Sequence, residues 1–165
     1  MVQLTDDCFA FEGGLIPVEV ALERVRARLA PVTGIETQPL DAVLGRILGT
    51  DVVSGLDVPP HDNSAVDGWA VYLDDLDRDG ETRLPIGGRV AAGQHLDRPQ
   101  RRGETIRIFT GAPMPTGEGT GPDTVFMQED CRVDGDVVVF PPGIRRGANR
   151  RFAGEDVKAG TTILR

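Results

Sequence analysis

Glycine and proline interrupt this sequence so often that long regular elements are excluded over most of its length. Its 165 residues include 21 Gly and 12 Pro, and both residue types favour turns and the ends of elements. A chain of this length suffices for one domain or two small ones. The sequence therefore predicts many short strands, with helices confined to the segment before residue 50.

Two helices are predicted in that first segment. One begins at Pro17, which suits a first helical position, and ends before Pro31. Its apolar residues fall on one face at helical spacing: they are Val18, Ala21, Leu22, Val25 and Leu29. The second covers residues 40–48, with Asp41 as its cap and Gly49 at its end. Residues 1–15 show no sustained periodicity and are expected to fray.

The remainder reads as strands. Residues 69–72, 105–109 and 124–129 have strand patterns. Residues 131–133 and 137–140 flank Asp134-Gly135-Asp136, in which Asp-Gly supplies the residues of a tight hairpin turn. Residues 157–164 predict a strand, a turn at 158–160 and a second strand.

A change in composition near Asp51 and a break at Pro141 predict the domain organisation. Residues 53–140 would form an inserted β-rich domain. Residues 1–52 and 141–165 would pack together as an elongated arm that carries the N-terminal helix and contributes to a dimer. The sequence stops on an extended apolar stretch, so we expect it to be part of a longer chain.

The charge balance excludes several classes of function. With 18 Lys and Arg against 26 Asp and Glu, the net charge is -8, which opposes non-specific binding to nucleic acid or to anionic membranes. No apolar run approaches the ~18 residues of a membrane span. Asp6, Asp7 and Glu12 stand where a signal peptide carries positive charge, so we predict a cytoplasmic protein. Cys8 and Cys131 are too few for a zinc site, and no function is assigned to them.

The densest group of polar residues lies in the loop before residue 68. Asp62, Asn63, Ser64 and Asp67 place several oxygen atoms in one short segment that ends at Gly68. Such a loop could hold Mg²⁺. Asp, Asn and Ser are equally good turn residues that satisfy their own backbone, and composition alone leaves both interpretations open.

A second candidate is Thr110-Gly111, at the end of the strand predicted over 105–109. A hydroxyl and backbone N–H groups at a strand end can bind a phosphate or another oxyanion. An ordinary proline-containing loop explains the same residues.

A third candidate is a basic cluster within an otherwise acidic sequence. Arg145, Arg146, Arg150 and Arg151 stand beside Glu155 and Asp156. Guanidinium groups suit phosphate because their donors form a planar fork. A solvated turn with local salt bridges is the alternative, and spacing does not separate the two.

Taken together, these segments resemble the N-terminal half of the MoeA family, the molybdopterin molybdenumtransferases, which are related to the gephyrin E domain. The similarity rests on the run from Asp57 to Val71, which contains Asp-Asn-Ser-Ala-Val-Asp-Gly-Trp-Ala-Val, followed by Thr-Gly-Ala-Pro from Thr110 and by Gly-Glu-Asp ending at Asp156. It covers about residues 16–165. Trp69 replaces the usual tyrosine, and His61 is a second departure.

The resemblance implies a fold and an assembly. It implies coiled, bifurcated β-sheets of the MoeA N-terminal type, with an N-terminal helix and a few short helices, in an elongated homodimer. The family's molybdopterin-binding MogA-like domain and its C-terminal β-barrel have no counterpart in these 165 residues.

The resemblance also implies an activity and a site. The family inserts molybdate into adenylylated molybdopterin with Mg²⁺ and releases AMP. Matched motif by motif, catalytic roles fall on Asp67, Thr110 and Asp156, substrate binding falls on Arg151 and Ser64, and metal binding falls on Asp67.

The resemblance therefore implies the N-terminal region of this enzyme, contributing part of the active-site cleft and the dimer contacts and inactive alone. Its partners would be a second copy, the pterin substrate and proteins of the cofactor pathway, and not nucleic acid or a membrane. A non-catalytic dimerisation or scaffold module is the alternative, and a stand-alone acidic Mg²⁺-binding β domain is a weaker one.

Overall fold

The structure, a computed structural model, describes residues 16–165. The fraying predicted for residues 1–15 lies outside this range. The chain divides between Gly49 and Thr50 into two units. Because the candidate residues all follow Thr50, the second unit carries the candidate site.

The first unit contains one α-helix, α1, over Val18–Arg26. Pro17 precedes it with φ -57°, as the sequence predicts, and the Ala27 N–H donates to the Glu23 carbonyl at its end. The helix ends at Arg26, about one turn before Pro31, which the sequence predicts as its limit. No residue of α1 is buried.

The second predicted helix is wrong. Only Leu40–Ala42 form a single 3₁₀ turn, and Gly45 has a φ of 81°, which ends helical geometry. The apolar side chains of the segment find no core, since Leu44 is 99% exposed and Ile47 is 96% exposed. A helix this short is marginal without an apolar face to bury, so local spacing did not suffice.

The second unit is built from ten strands. They are β1 (Val52–Val53), β2 (Asn63–Ser64), β3 (Gly68–Val71), β4 (Thr82–Val90), β5 (Thr105–Ile108), β6 (Thr124–Met127), β7 (Arg132–Asp134), β8 (Val137–Phe140), β9 (Arg150–Arg151) and β10 (Thr162–Leu164). Six of them form one sheet in the order β6-β3-β5-β4-β8-β7, and β1-β10 and β2-β9 form two small pairs. Only β4 and β5 run parallel to each other; the other paired strands run antiparallel.

The six-stranded sheet is packed on both faces, because successive side chains of a strand point to opposite sides. One buried cluster comprises Trp69, Val71, Leu84, Phe126, Val138 and Phe140. The other comprises Ala70, Val90, Ile106, Ile108, Ala112 and Val125. Strand β3, an interior strand of the sheet, is therefore buried on both sides, and the candidate loop leads directly into it.

The strand predictions for β3, β5, β6 and the β7–β8 hairpin are confirmed within a residue or two. Asp134 pairs with Val137 across the turn, and Gly135 has the expected positive φ of 62°. The sequence missed β4, the longest strand, because Pro85, Gly87 and Gly88 resemble breakers. The strand accommodates Gly87 and Gly88 at a register irregularity between Ile86 and Gly88.

The last segment forms less strand than predicted. Val157 makes a single bridge to Val58, and only β10 is a strand, paired with β1. The division into an arm and an inserted domain at residues 53 and 140 stays a prediction. None of the helices in residues 16–165 has the length and apolar character needed to cross a membrane.

Candidate functional site

The three candidate segments meet at one end of β3. The Ser64 carbonyl accepts the Gly111 N–H at 2.8 Å, and the Asp62 carbonyl accepts the Met114 N–H at 2.9 Å. On the other side, β2 pairs with β9, so the first loop lies between the second and third segments. Segments separated by up to ninety residues therefore build one continuous surface.

Asp67 and Thr110 form the polar corner of this surface. Both the Thr110 N–H and the Thr110 hydroxyl donate to Asp67 Oδ1, each at 2.8 Å. These two bonds, the N–H first, hold the pKa of the Asp67 carboxyl below its usual range, with a smaller contribution from Arg107. The structure thus brings together two residues that the resemblance assigns to catalysis.

A second group of polar residues lies beside Asp67. The Gln128 N–H donates to the Asp67 carbonyl at 3.0 Å, and Gln128 Nε2 donates to Glu129 Oε1 at 2.9 Å. Arg107 donates to Gln128 Oε1, and its guanidinium stacks on Trp69 at 5.0 Å from the ring centroid. No site role for Arg107, Gln128 or Glu129 was predicted. Their positions follow from pairing of β3 with β5 and β6, which no local motif encodes.

The corner is compatible with Mg²⁺. Mg²⁺ is commonly held by one or two carboxylates together with water and substrate phosphates, and not by an all-protein cage. Within the described residues, Oδ1 of Asp67 carries both bonds from Thr110 while Oδ2 accepts none, so one carboxylate oxygen is available. Residues 16–165 contain no group of three or more His, Cys, Asp or Glu that could hold a metal alone. Asp67 could hold Mg²⁺ together with water and substrate oxygens.

Ser64 is placed differently. It is 1% exposed, its hydroxyl donates to the Val66 carbonyl at 2.6 Å, and the same oxygen accepts the Val66 N–H at 3.2 Å. This arrangement closes the turn that leads to Asp67. Substrate binding by Ser64 stays a prediction, and the observed bonds give its hydroxyl a structural use.

Arg151 and Asp156 are also brought together, at the far end of the surface. Arg151 Nη2 lies 2.6 Å from Asp156 Oδ2, and Arg151 also pairs with Glu155. Both carboxylates raise the pKa of the Arg151 guanidinium, Glu155 most. The Asp156 carboxylate is about half exposed, at 52%. The assigned roles of Arg151 and Asp156 stay predictions.

The rest of the basic cluster is mostly neutralised. Arg150 pairs with Asp62, and Arg146 pairs with Asp74 and Asp123. Burial raises the pKa of the Asp62 carboxyl, but bonds from Arg150 and from the Ala153 N–H outweigh it and lower the pKa overall. The alternative of a salt-bridged turn therefore explains these arginines in the structure.

The fold and the corner together describe a β-rich protein with a carboxylate fixed by a hydroxyl and an N–H at a loop surface, an arrangement compatible with a metal ion. The sequence matches the family "MoeA N-terminal region (domain I and II)" over residues 16–165. The chain belongs to this family, as the resemblance implied.

Named relatives and solved structures agree with this assignment. The molybdopterin molybdenumtransferase of Haemophilus influenzae is 34% identical over 151 residues, which cover 91% of this chain and 36% of that protein. Molybdopterin molybdenumtransferase 2 of Mycobacterium tuberculosis is 35% identical over 146 residues, covering 86% of this chain and 35% of that protein. The crystal structure of the molybdopterin biosynthesis MoeA protein of Pyrococcus horikoshii superposes with a TM-score of 0.76 at 32% identity, covering 92% of this chain and 40% of that chain. These agreements confirm the mainly β, MoeA-type fold, and the 165 residues span little more than a third of the length of the relatives.

Proposed function

We propose that this chain supplies the N-terminal part of the site at which molybdate is inserted into adenylylated molybdopterin, in molybdenum cofactor biosynthesis. The observation that carries the proposal is the Asp67–Thr110 corner, where a carboxylate is fixed by two bonds of 2.8 Å and keeps one oxygen available. The names of the relatives support the reaction.

Each residue of the corner has a chemical part in this proposal. Asp67 would hold Mg²⁺ through its available carboxylate oxygen, and the ion would supply Lewis-acid chemistry to the reaction. Thr110 fixes the carboxylate with its N–H and its hydroxyl, and the hydroxyl would turn from Asp67 Oδ1 to donate to an oxyanion of the substrate.

Arg151 and Asp156 act at the far end of the surface. The Arg151 guanidinium offsets ligand charge by turning from its own carboxylates to the substrate. Asp156, being half exposed, would be available to the metal or the substrate once Arg151 had turned.

A hybrid protein tests the proposal. Residues 16–165 of this chain would replace the matching region of the H. influenzae relative, and AMP release from adenylylated molybdopterin would be measured with molybdate and Mg²⁺. We expect release that requires both additions. A folded hybrid that releases no AMP, beside an active parent protein, would contradict the proposal.

The proposal includes a homodimer, as the family resemblance implies. The apolar stripe of α1 is compatible with it, since Val18 is 68% exposed and Val25 is 55% exposed. Sedimentation of the hybrid at several concentrations would give its mass, and a monomer throughout would contradict this part. Cytoplasmic localisation likewise stays a proposal.

A further inference from the structure

Two arginines face each other in register on neighbouring strands. Arg107 of β5 is aligned with Arg89 of β4, and on its other side Arg107 is aligned with Trp69 of β3. Residues in register share a face of the sheet. Like charges at adjacent positions of one face repel each other, so this pair is unfavourable by itself.

Both guanidinium groups lie against one aromatic ring. The Arg89 guanidinium lies 4.6 Å from the centroid of Phe109, and the Arg107 guanidinium lies 4.9 Å from the same centroid. Arg107 also lies over Trp69. We call this row of Arg89, Phe109, Arg107 and Trp69 the arginine–aromatic ladder. Stacking occupies the guanidinium faces and leaves the in-plane N–H donors for acceptors. Two donors of Arg107 already bond the Gly68 carbonyl and Gln128 Oε1.

The ladder has no matching carboxylate at its outer end. Elsewhere on the sheet, Arg83 of β4 pairs with Asp134 at 2.8 Å, and Arg132 of β7 faces Glu81 at 3.6 Å. In residues 16–165, by contrast, no carboxylate lies within salt-bridge distance of Arg89, which is exposed and donates to no protein acceptor.

The ladder adjoins the polar corner. Phe109 directly precedes Thr110, and Arg107 bonds Gln128, whose N–H donates to the Asp67 carbonyl. Asp67 and Glu129 lie close enough to Arg107 for its positive charge to lower the pKa of both carboxyls. The two carboxylates therefore offset the charge of Arg107. Arg89 is then the ladder's cation that no carboxylate offsets among the described residues. Local arrangements that oppose stability are expected at functional sites.

We propose that the arginine–aromatic ladder is a binding site for a tetrahedral oxyanion, phosphate or molybdate, held by the N–H donors of Arg89 with support from Arg107. The anion removes the repulsion between the two guanidinium groups. The anion site is inferred from the geometry of the ladder. Its use in molybdate transfer rests on the proposed function as well.

The test uses the 165-residue chain and two probes, inorganic phosphate and molybdate, each titrated at constant ionic strength against sodium chloride. The arginine Nε–Hε resonances are followed by NMR. We expect saturable shifts confined to Arg89 and Arg107 with at least one probe, and the probe that binds more tightly identifies the source of the oxyanion. Saturation with neither probe, or equal shifts at Arg83, would overturn the proposal.

Two variants sharpen the result. Arg89→Gln should weaken binding by about tenfold, the loss expected for a charge-assisted hydrogen bond. Arg83→Gln removes the same charge from the same strand and should leave binding unchanged. Equal affinity in both variants would overturn the proposal, and the wild-type shifts decide it even if a variant fails to fold. AMP release by the hybrid protein is a separate measurement, so failure of the proposed function and failure of the ladder are distinguishable.

Discussion

Gly68 joins the polar corner to the sheet, and its replacement by alanine should be strongly destabilising. A Cβ atom at this position would lie 2.8 Å from the Phe126 carbonyl carbon and would overlap the carbonyl oxygen. The clashing group is backbone of β6, which pairs with β3 over four residues, so no side-chain rotation can relieve it. Glycine is therefore needed here for close approach of two backbones.

The size of the destabilisation follows from the displacement of β6 that the added Cβ would require. Overpacking a well-filled site costs about 1–3 kcal/mol, and displacing β6 would weaken one or two ladder hydrogen bonds at about 1 kcal/mol each. The lower entropy of the unfolded alanine chain offsets about 0.4–1 kcal/mol. We expect Gly68→Ala to lower the free energy of unfolding by about 3 kcal/mol.

Urea unfolding of the 165-residue chain measures this, and Gly55→Ala is the matched control. A Cβ at Gly55 would meet no heavy atom within 4 Å, and its φ is not in the positive range, so this variant should stay within about 0.5 kcal/mol of the parent. If Gly68→Ala were as stable as Gly55→Ala, the close-approach explanation would be refuted.

Three further predictions concern single groups of the second unit. Arg98 is bonded to Glu104 at 2.5 and 2.9 Å and holds the pKa of the Glu104 carboxyl below 4.5. The stability from this shift is present above that value and is lost as the pH falls through the lowered pKa, so the difference in unfolding free energy between the parent and Glu104→Gln should shrink below about pH 4.5. A constant difference from pH 3 to 7 would contradict this prediction. Burial raises the pKa of the Cys131 thiol to about 12. Iodoacetamide at pH 8 should therefore modify Cys131 at least about tenfold faster in urea than in the folded chain, as measured by peptide mass spectrometry. Equal rates would show that the thiolate is accessible in the folded chain. Asn149 has a φ of 56°, and its side chain donates to the Val125 carbonyl at 2.9 Å. Asn149→Ala should therefore lower the free energy of unfolding in urea by about 1–3 kcal/mol, and Asn149→Gly should lower it less. The reverse order would show that the positive φ does not matter.

The sequence predicted the parts of the fold that local chemistry decides. Asp134-Gly135 requires a tight turn whatever surrounds it, and the β7–β8 hairpin is found there. Residues 40–48 have helical spacing but no surface to cover them in the described chain, so the helix fails. For β4, tertiary pairing overrides Pro85 and the two glycines that follow, and no local rule predicts that outcome.

The site shows the same limit. Asp67 and Thr110 could be named from the family resemblance, and their hydrogen bonds confirm that they lie together. Residue spacing alone could not show that pairing, because 43 positions separate them. Arg107 and Arg89 were not predicted as site residues, since each is an ordinary polar position in its own strand and only the register between β4 and β5 aligns them.

The most direct test of the account is AMP release by the hybrid protein carrying Asp67→Asn, with urea unfolding measured in parallel. Asparagine keeps an oxygen that can accept both Thr110 bonds but removes the negative charge, so it separates metal binding from loop structure. We expect release to fall by about a hundredfold while the free energy of unfolding changes by no more than about 1 kcal/mol. Asp134→Asn, at an exposed carboxylate paired with Arg83, should retain full release. Undiminished release by Asp67→Asn, or a loss that is explained by unfolding, would contradict the assignment of Asp67 to the chemistry.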